Sequence, residues 1–286
     1  MKHVLGFFLF LLSASLCSSQ ETKSLRDLQW KFPRVRTASA EKDAILRERF
    51  QAKGLPYPPH AILLRAFKKE ASLELWATAA ADQLYVLVHE YNICTSSGVL
   101  GPKRRFGDEQ VPEGFYELDW FNPQSNFFLS LHINYPNASD RILGYKPNLG
   151  GDIFLHGNCA SIGCIPITDD GIKEVYWLAV LVHSHGQQHL PIEIFPARLT
   201  VDGLRSLAAT HRNQPKLLSF WSNLKEGYDF FEKDHRAPHV TTRSDGSYAF
   251  SRKQEHHQSR AASKSQLERT GCGVPQVSYL NLGPGS

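Results

Sequence analysis

Gly150-Gly151-Asp152-Ile153-Phe154-Leu155-His156-Gly157-Asn158-Cys159-Ala160-Ser161-Ile162-Gly163-Cys164-Ile165-Pro166 is the stretch that decides the reading. Its apolar run, Ile153 to His156, predicts a strand that delivers His156 at its end. A loop of small and polar residues then delivers Cys164, eight positions after the histidine. A thiol of ordinary pKa, about 8.5, is mostly protonated at neutral pH. An imidazole beside it can take the proton and leave a low-pKa thiolate, the form that attacks carbonyl carbon. Gly163 lets the chain turn tightly, so the backbone N–H groups of Gly163 and Cys164 can face a developing oxyanion. Cys164 is therefore the candidate nucleophile and His156 its base. Two other readings stay open on these residues alone. His156, Cys159 and Cys164 could form part of a zinc site, which needs a fourth donor. The cysteines could also be plain packing residues, although this loop is too small and polar for a core.

Outward from this stretch the pattern is mostly strand. Ile62 to Phe67, Leu73 to Thr78 and Leu84 to Tyr91 are short aliphatic and aromatic runs. Gly98 to Gly114 is a loop, and further strands are expected at Phe115 to Leu118, Phe127 to Tyr135 and Ile192 to Phe195. Ser39 caps a predicted helix that Gly54 and Pro56 stop near Lys53. Thr168 caps a second, with Asp169 and Asp170 in its first turn. Ile172, Val175, Tyr176, Ala179 and Val182 make its apolar face. A third is expected over Lys216 to Leu224. The fold class expected is mainly β with flanking helices. Residues 20–60 are expected to hold a linker, irregular to 38, and then a helix. A catalytic domain follows over 61–198, a helical extension over 199–250 and a disordered tail over 251–286, where charge, Ser and Gln replace apolar residues.

The N-terminus reads as an export signal. Lys2 and His3 precede an apolar run, Val4 to Leu12, too short to span a bilayer as a helix. Cys17-Ser18-Ser19 offers a cleavage point after Ser19. Lipid attachment at Cys17 is the weaker alternative, because bulky Leu16 precedes it. A buried N-terminal helix is a third reading. Export places the protein in the periplasm or cell envelope. With Cys17 removed, Cys94, Cys159, Cys164 and Cys272 remain, too few for a disulfide scaffold, so at least one is a candidate for chemistry. A net charge of +4 without a basic stripe interleaved with aromatics argues against nucleic acid as a partner. No later apolar stretch approaches the ~20 residues of a membrane span.

His156-Gly157 and Gly163-Cys164 resemble the catalytic motif of the L,D-transpeptidase (YkuD-type) family, most closely its YafK-type murein branch. Gly107-Asp108 followed by Pro112-Glu113-Gly114-Phe115-Tyr116 resembles a second signature of that family. Ile133-Asn134-Tyr135-Pro136-Asn137 with Asp140-Arg141 resembles the same branch, and the match runs from about Ala61 to Phe195. The chain departs from the wider family where Ile162 replaces a second histidine, where Ile165-Pro166 follows the cysteine, and in its shorter His-to-Cys spacing.

The resemblance implies a mainly β catalytic domain and a two-step acyl transfer on peptidoglycan stem peptides. Cys164 would attack the carbonyl on the meso-diaminopimelate side of an L,D-peptide bond. The backbone carbonyl of Gly157 would orient His156, and no cofactor or metal is needed. A hydrolase of the same chemistry, releasing a D-amino acid or a wall-linked protein, is the nearest alternative. A non-catalytic wall-binding module is another, told apart by whether Cys164 can be alkylated or acylated. Lys103 and Arg105 are candidates for stem carboxylates, Tyr135 and Asn137 for the cleft, and Asn158 and Ser161 for contacts from the loop. Asp152 is read as structural. Gly107, Pro112 and Gly114 are read as turn-forming. Cys94 and Cys159 are either a disulfide or two thiols. Ile162 and Pro166 suggest an apolar pocket that favours water over an ammonium acceptor.

Overall fold

The strand Ala61–Phe67 (β1) is an apolar run interrupted by one arginine, the pattern of a strand buried on both faces. It sits inside an eight-stranded sheet together with Ser72–Thr78 (β2), Val86–Asn92 (β3), Gly114–Asn122 (β4), Ser130–Ile133 (β5), Phe154–His156 (β6), Ile165–Pro166 (β7) and Leu190–Phe195 (β8). The strand order is β3-β2-β1-β8-β4-β5-β6-β7. The pairs β1–β8 and β6–β7 are parallel and the others antiparallel. The structure is a computed structural model and describes residues 23–252; the signal segment, Cys17, Cys272 and nearly all of the expected tail lie outside them. Contacts divide the chain at Phe250, and all that follows concerns the first unit.

Leu25–Gln29 (α1), Pro33–Ala52 (α2), Ala138–Leu143 (α3), Thr168–Ser184 (α4), Val201–Thr210 (α5) and Pro215–Glu232 (α6) flank the sheet, with a small hairpin of His239–Thr242 (β9) and Tyr248–Ser251 (β10). One face of β1 packs Ile62, Leu64 and Ala66 into a core shared with Ile172, Val175 and Tyr176 of α4 and with Leu46 and Phe50 of α2. On the other face Phe67 and Phe195 meet Trp221, Leu224 and Tyr228, while Leu63 meets Trp76 and Phe231. Arg65 is enclosed there, donating to Glu193 at 2.9 Å and Glu232 at 2.6 Å. Helices thus cover both faces of the sheet's centre. Across β4, β5 and β6 the outer face keeps Trp120 exposed and His132 and Phe154 half-buried.

The mainly β class with flanking helices is what the structure has, with local differences. Residues 25–52 are largely helical rather than a linker to 38. Ser24 and Asp27 form a reciprocal capping box, and Pro33, whose missing N–H costs nothing in a first turn, opens α2. Ser39 lies buried within α2 instead of capping it. The strand expected over Phe127 to Tyr135 shrinks to Ser130–Ile133, because Phe128 adopts a left-handed φ of 70°. Helix α6 runs eight residues past Leu224. Helix α3 and the hairpin were not anticipated, while α5 falls within the helical extension expected over 199–250; Asn137 caps α3 and Thr200 caps α5. Thr168 is the first residue of α4, and its hydroxyl accepts from Gly171 N–H at 3.3 Å. Among the described residues no helix is long and apolar enough to cross a membrane.

Candidate active site

Pairing of β6 with β7 brings the two chemical residues together. Leu155 lies opposite Ile165 and His156 opposite Pro166, so Cys164 arrives beside Phe154. His156 is buried, and its Nδ1 lies 2.5 Å from the carbonyl oxygen of Gly157. A carbonyl only accepts, so Nδ1 carries the proton and Nε2 presents its lone pair. That Nε2 is buried without a hydrogen-bond partner. The ring stacks on Phe127 at 4.4 Å. Burial pushes the imidazole pKa below its ordinary value, opposed by the Gly157 bond. Gly157 is required here: a Cβ would stand 2.5 Å from Asp169 Oδ1 and 2.7 Å from the Phe127 carbonyl oxygen.

Cys164 is half-buried and is the free cysteine among the described residues. Its Sγ accepts from Phe154 N–H at 3.4 Å and lies 3.7 Å from the Asp152 carbonyl oxygen. Burial pushes the thiol pKa up and the Asp152 carboxylate adds to this; the Phe154 N–H and Lys103 pull it down. Both shifts favour the neutral forms, thiol and imidazole, over the low-pKa thiolate expected from the sequence. His156 and Cys164 are not hydrogen-bonded to one another, since Nε2 has no partner.

The loop between them is held at several points. Cys159 is bonded to Cys94, which removes it from any zinc donor set with His156 and Cys164. Asn158 N–H donates to Asp169 Oδ1 at 2.7 Å, tying the loop to the start of α4. Ser161 Oγ donates to the Cys164 carbonyl at 2.8 Å and accepts from Gly163 N–H at 3.1 Å. The Gly163 N–H expected at an oxyanion is therefore engaged, and Ser161 is a loop brace rather than an open substrate contact. Gly163 has a φ of 130°, and a Cβ there would stand 3.2 Å from the Gln110 carbonyl oxygen.

The other candidates divide. Lys103 is buried, with Nζ on Asp108 Oδ1 at 2.6 Å and on the Arg105 carbonyl at 3.0 Å. Its ammonium is engaged within its own loop. Arg105 is exposed. Tyr135 is buried with its hydroxyl on the Leu149 carbonyl at 3.1 Å. Asn137 caps α3 and donates to the Phe115 carbonyl and the Tyr248 hydroxyl. Tyr135 and Asn137 therefore support the fold and do not line a cleft. Asn158 is exposed, but its side-chain oxygen accepts from Cys159 N–H at 2.5 Å. Asp152 lies in the loop before β6 with a φ of 56°, not on the strand. Ile162 is 79% exposed, so it does not make the dry pocket on which a preference for water rested.

The second signature braces the site from below. Asp108 accepts from the N–H groups of Arg104, Arg105 and Gln110, and Tyr116 donates to Asp140, which also holds Arg104. Sequence reasoning missed Lys68 and Glu113, buried and 2.9 Å apart, and Phe127 beneath the imidazole. Lys68 and Cys164 both line a small cavity with room for about one water, together with Ser96 and Val111. A lysine closing an apolar strand run was the available signal.

No family model matches the chain. It is 34% identical over 197 residues to the protein named "Putative L,D-transpeptidase YafK" in Escherichia coli (strain K12), covering 68% of this chain and 76% of that one. The counterpart in Escherichia coli O157:H7 gives the same figures. The site sets a carbonyl-held histidine at the end of β6 and a free thiol just ahead of β7. The chain belongs to the L,D-transpeptidase family, in its YafK-type branch. Two solved structures overlap it loosely. The helical cell shape determining protein Pgp2 from Campylobacter jejuni has a TM-score of 0.38 at 17% identity, over 63% of this chain and 73% of that one. Bd1075 from Bdellovibrio bacteriovorus has a TM-score of 0.35 at 18% identity, over 64% and 77%. Overlaps this loose carry no argument about function.

Proposed function

We propose that this protein is an exported cell-envelope enzyme that forms a thioester between Cys164 and the meso-diaminopimelate carbonyl of a peptidoglycan stem peptide. The observation behind this is the His156 ring: Nδ1 fixed on the Gly157 carbonyl, Nε2 buried without a partner, beside the free thiol. An unpartnered lone pair in an apolar setting is a base waiting for a proton. The Cys164 side chain turns from the Asp152 carbonyl toward Nε2 as substrate enters, and its proton passes to Nε2. Sγ bonds to the carbonyl carbon, and Cys164 N–H stabilises the oxyanion. Gly163 N–H joins it only if it leaves Ser161. The C–N bond then breaks and Nε2 returns its proton to the leaving amine. A second amine, in transpeptidation, or water, in hydrolysis, attacks the thioester through the same base and regenerates the thiol. No cofactor takes part.

The test is incubation of purified protein with defined tetrapeptide muropeptides, alone and with excess acceptor stem, followed by mass analysis. Cleavage or exchange after diaminopimelate, lost in Cys164→Ala and reduced by orders of magnitude in His156→Gln, supports the reading. Turnover by Cys164→Ala at the parent rate overturns it. The ratio of exchanged to hydrolysed product assigns the acceptor.

A further inference from the structure

We infer that the outer face of β4, β5 and β6 is a subsite for a sugar ring of the donor's glycan strand, with Trp120 as its stacking platform. Strand register sets a row: Trp120 opposite His132, His132 opposite Phe154, and Phe154 beside Cys164. The rings touch in sequence, with centroids 5.9 Å apart for Trp120 and Phe154 and 5.1 Å for His132 and Phe154. Trp120 is 53% exposed although a tryptophan gains by burial. This inference rests on the stem-peptide reading of Cys164.

Distance selects the occupant. Trp120 and Cys164 are separated by three inter-strand spacings, roughly 14 Å between backbones. The attacked carbonyl belongs to the third residue of a stem whose first residue is joined to the sugar. Three extended residues reach about 10–11 Å. With the acyl carbon at Cys164, the sugar falls over Trp120. Charge agrees with an uncharged ring. The row carries no lysine or arginine, and its carboxylates, Asp119 and Glu117, are held by His132 at 2.6 Å and His189 at 2.8 Å. At the Trp120 end of the row a sugar finds an apolar face with hydrogen-bonding edges beside it, and needs no charged partner. On its far side Trp120 walls a cavity of about 240 Å³ with Gln29, Asp119, His183 and Gln188, which offers such edges for a neighbouring group.

The test measures binding of two probes to full-length Cys164→Ala by calorimetry: a disaccharide–tripeptide and the same tripeptide without sugars. The disaccharide form should bind about three- to tenfold more tightly. Adding Trp120→Ala should erase that difference while leaving the bare peptide's affinity unchanged, and Trp120→Phe should keep most of it. Equal binding of the two probes, binding of neither, or equal weakening of both by Trp120→Ala overturns the subsite. A sugar-dependent difference in a protein whose Cys164 never becomes acylated would leave the subsite standing and remove the catalytic reading.

Discussion

Lys68→Met should be the most damaging single change outside the proposed His156–Cys164 pair. The Lys68 ammonium is buried and donates to Glu113 Oε1 at 2.9 Å and to the carbonyls of Gly101, Val111 and Val99 at 2.8, 3.0 and 3.2 Å. Glu113 is fully buried and also accepts from Gly101 N–H and Trp221 Nε1, each at 2.7 Å. Methionine matches the stem but leaves a carboxylate without its cation and three carbonyls without a donor. Breaking a buried pair in this way costs about 3–5 kcal/mol. For a domain of this size that is a fall in Tm of roughly 6–20 °C. Thermal and urea unfolding at neutral pH, followed by circular dichroism, measure it. Lys68→Met combined with Glu113→Gln removes the stranded charge and should recover about 1–3 kcal/mol. Activity should fall too, since this loop carries the Gln110 carbonyl that packs on Gly163. A Lys68→Met protein within about 1 kcal/mol of the parent, or a double variant equal to the sum of the singles, would refute the reasoning.

Three further outcomes follow from the site. Asp152→Asn should lower the Cys164 pKa and speed alkylation at neutral pH, and Lys103→Met should raise it, because the two charges act on the thiolate with opposite sign; iodoacetamide rates against pH read both, and a common direction would sink the assignment. The acid limb of kcat/KM should lie below the ordinary imidazole range, because only neutral His156 can accept a proton and burial depresses its pKa; a limb at or above pH ~6.5 would contradict it. Replacing Cys94 and Cys159 together by serine should cost about 2–4 kcal/mol and slow turnover, because their bond closes a 65-residue separation and fixes the loop between His156 and Cys164; unchanged urea unfolding would show that the loop holds without it.

The parts of the candidate site that lie within one short stretch could be proposed from the sequence. His156, Gly157 and Cys164 are separated by one strand end and one loop, so local pattern carried them, and the orienting carbonyl is where the family resemblance implied. The sheet was legible for a similar reason, since apolar runs with turn-sized gaps survive without knowledge of pairing. What failed depended on which neighbour each polar side chain binds within its own loop, which residue type and spacing do not state. Lys103 reads as a free cation until Asp108 is folded onto it, and Asn137 as a cleft residue until it is seen capping α3. Ser161 and Gly163 look available in the chain and are bound to each other in the fold. The row from Trp120 to Cys164 crosses β4, β5 and β6 to the edge of β7, and only the register reveals it.

The central claim is that Cys164 becomes acylated by a stem peptide. Intact-protein mass spectrometry after rapid acid quench of the parent with excess tetrapeptide muropeptide tests it most directly, with digestion to locate the adduct. The account predicts a mass increase equal to the muropeptide less its terminal D-amino acid, carried by the peptide that contains Cys164 and reversed by hydroxylamine. It predicts no such adduct in Cys164→Ala and a far slower one in His156→Gln. An adduct on another residue, or product formed while Cys164 is blocked by iodoacetamide, would contradict it.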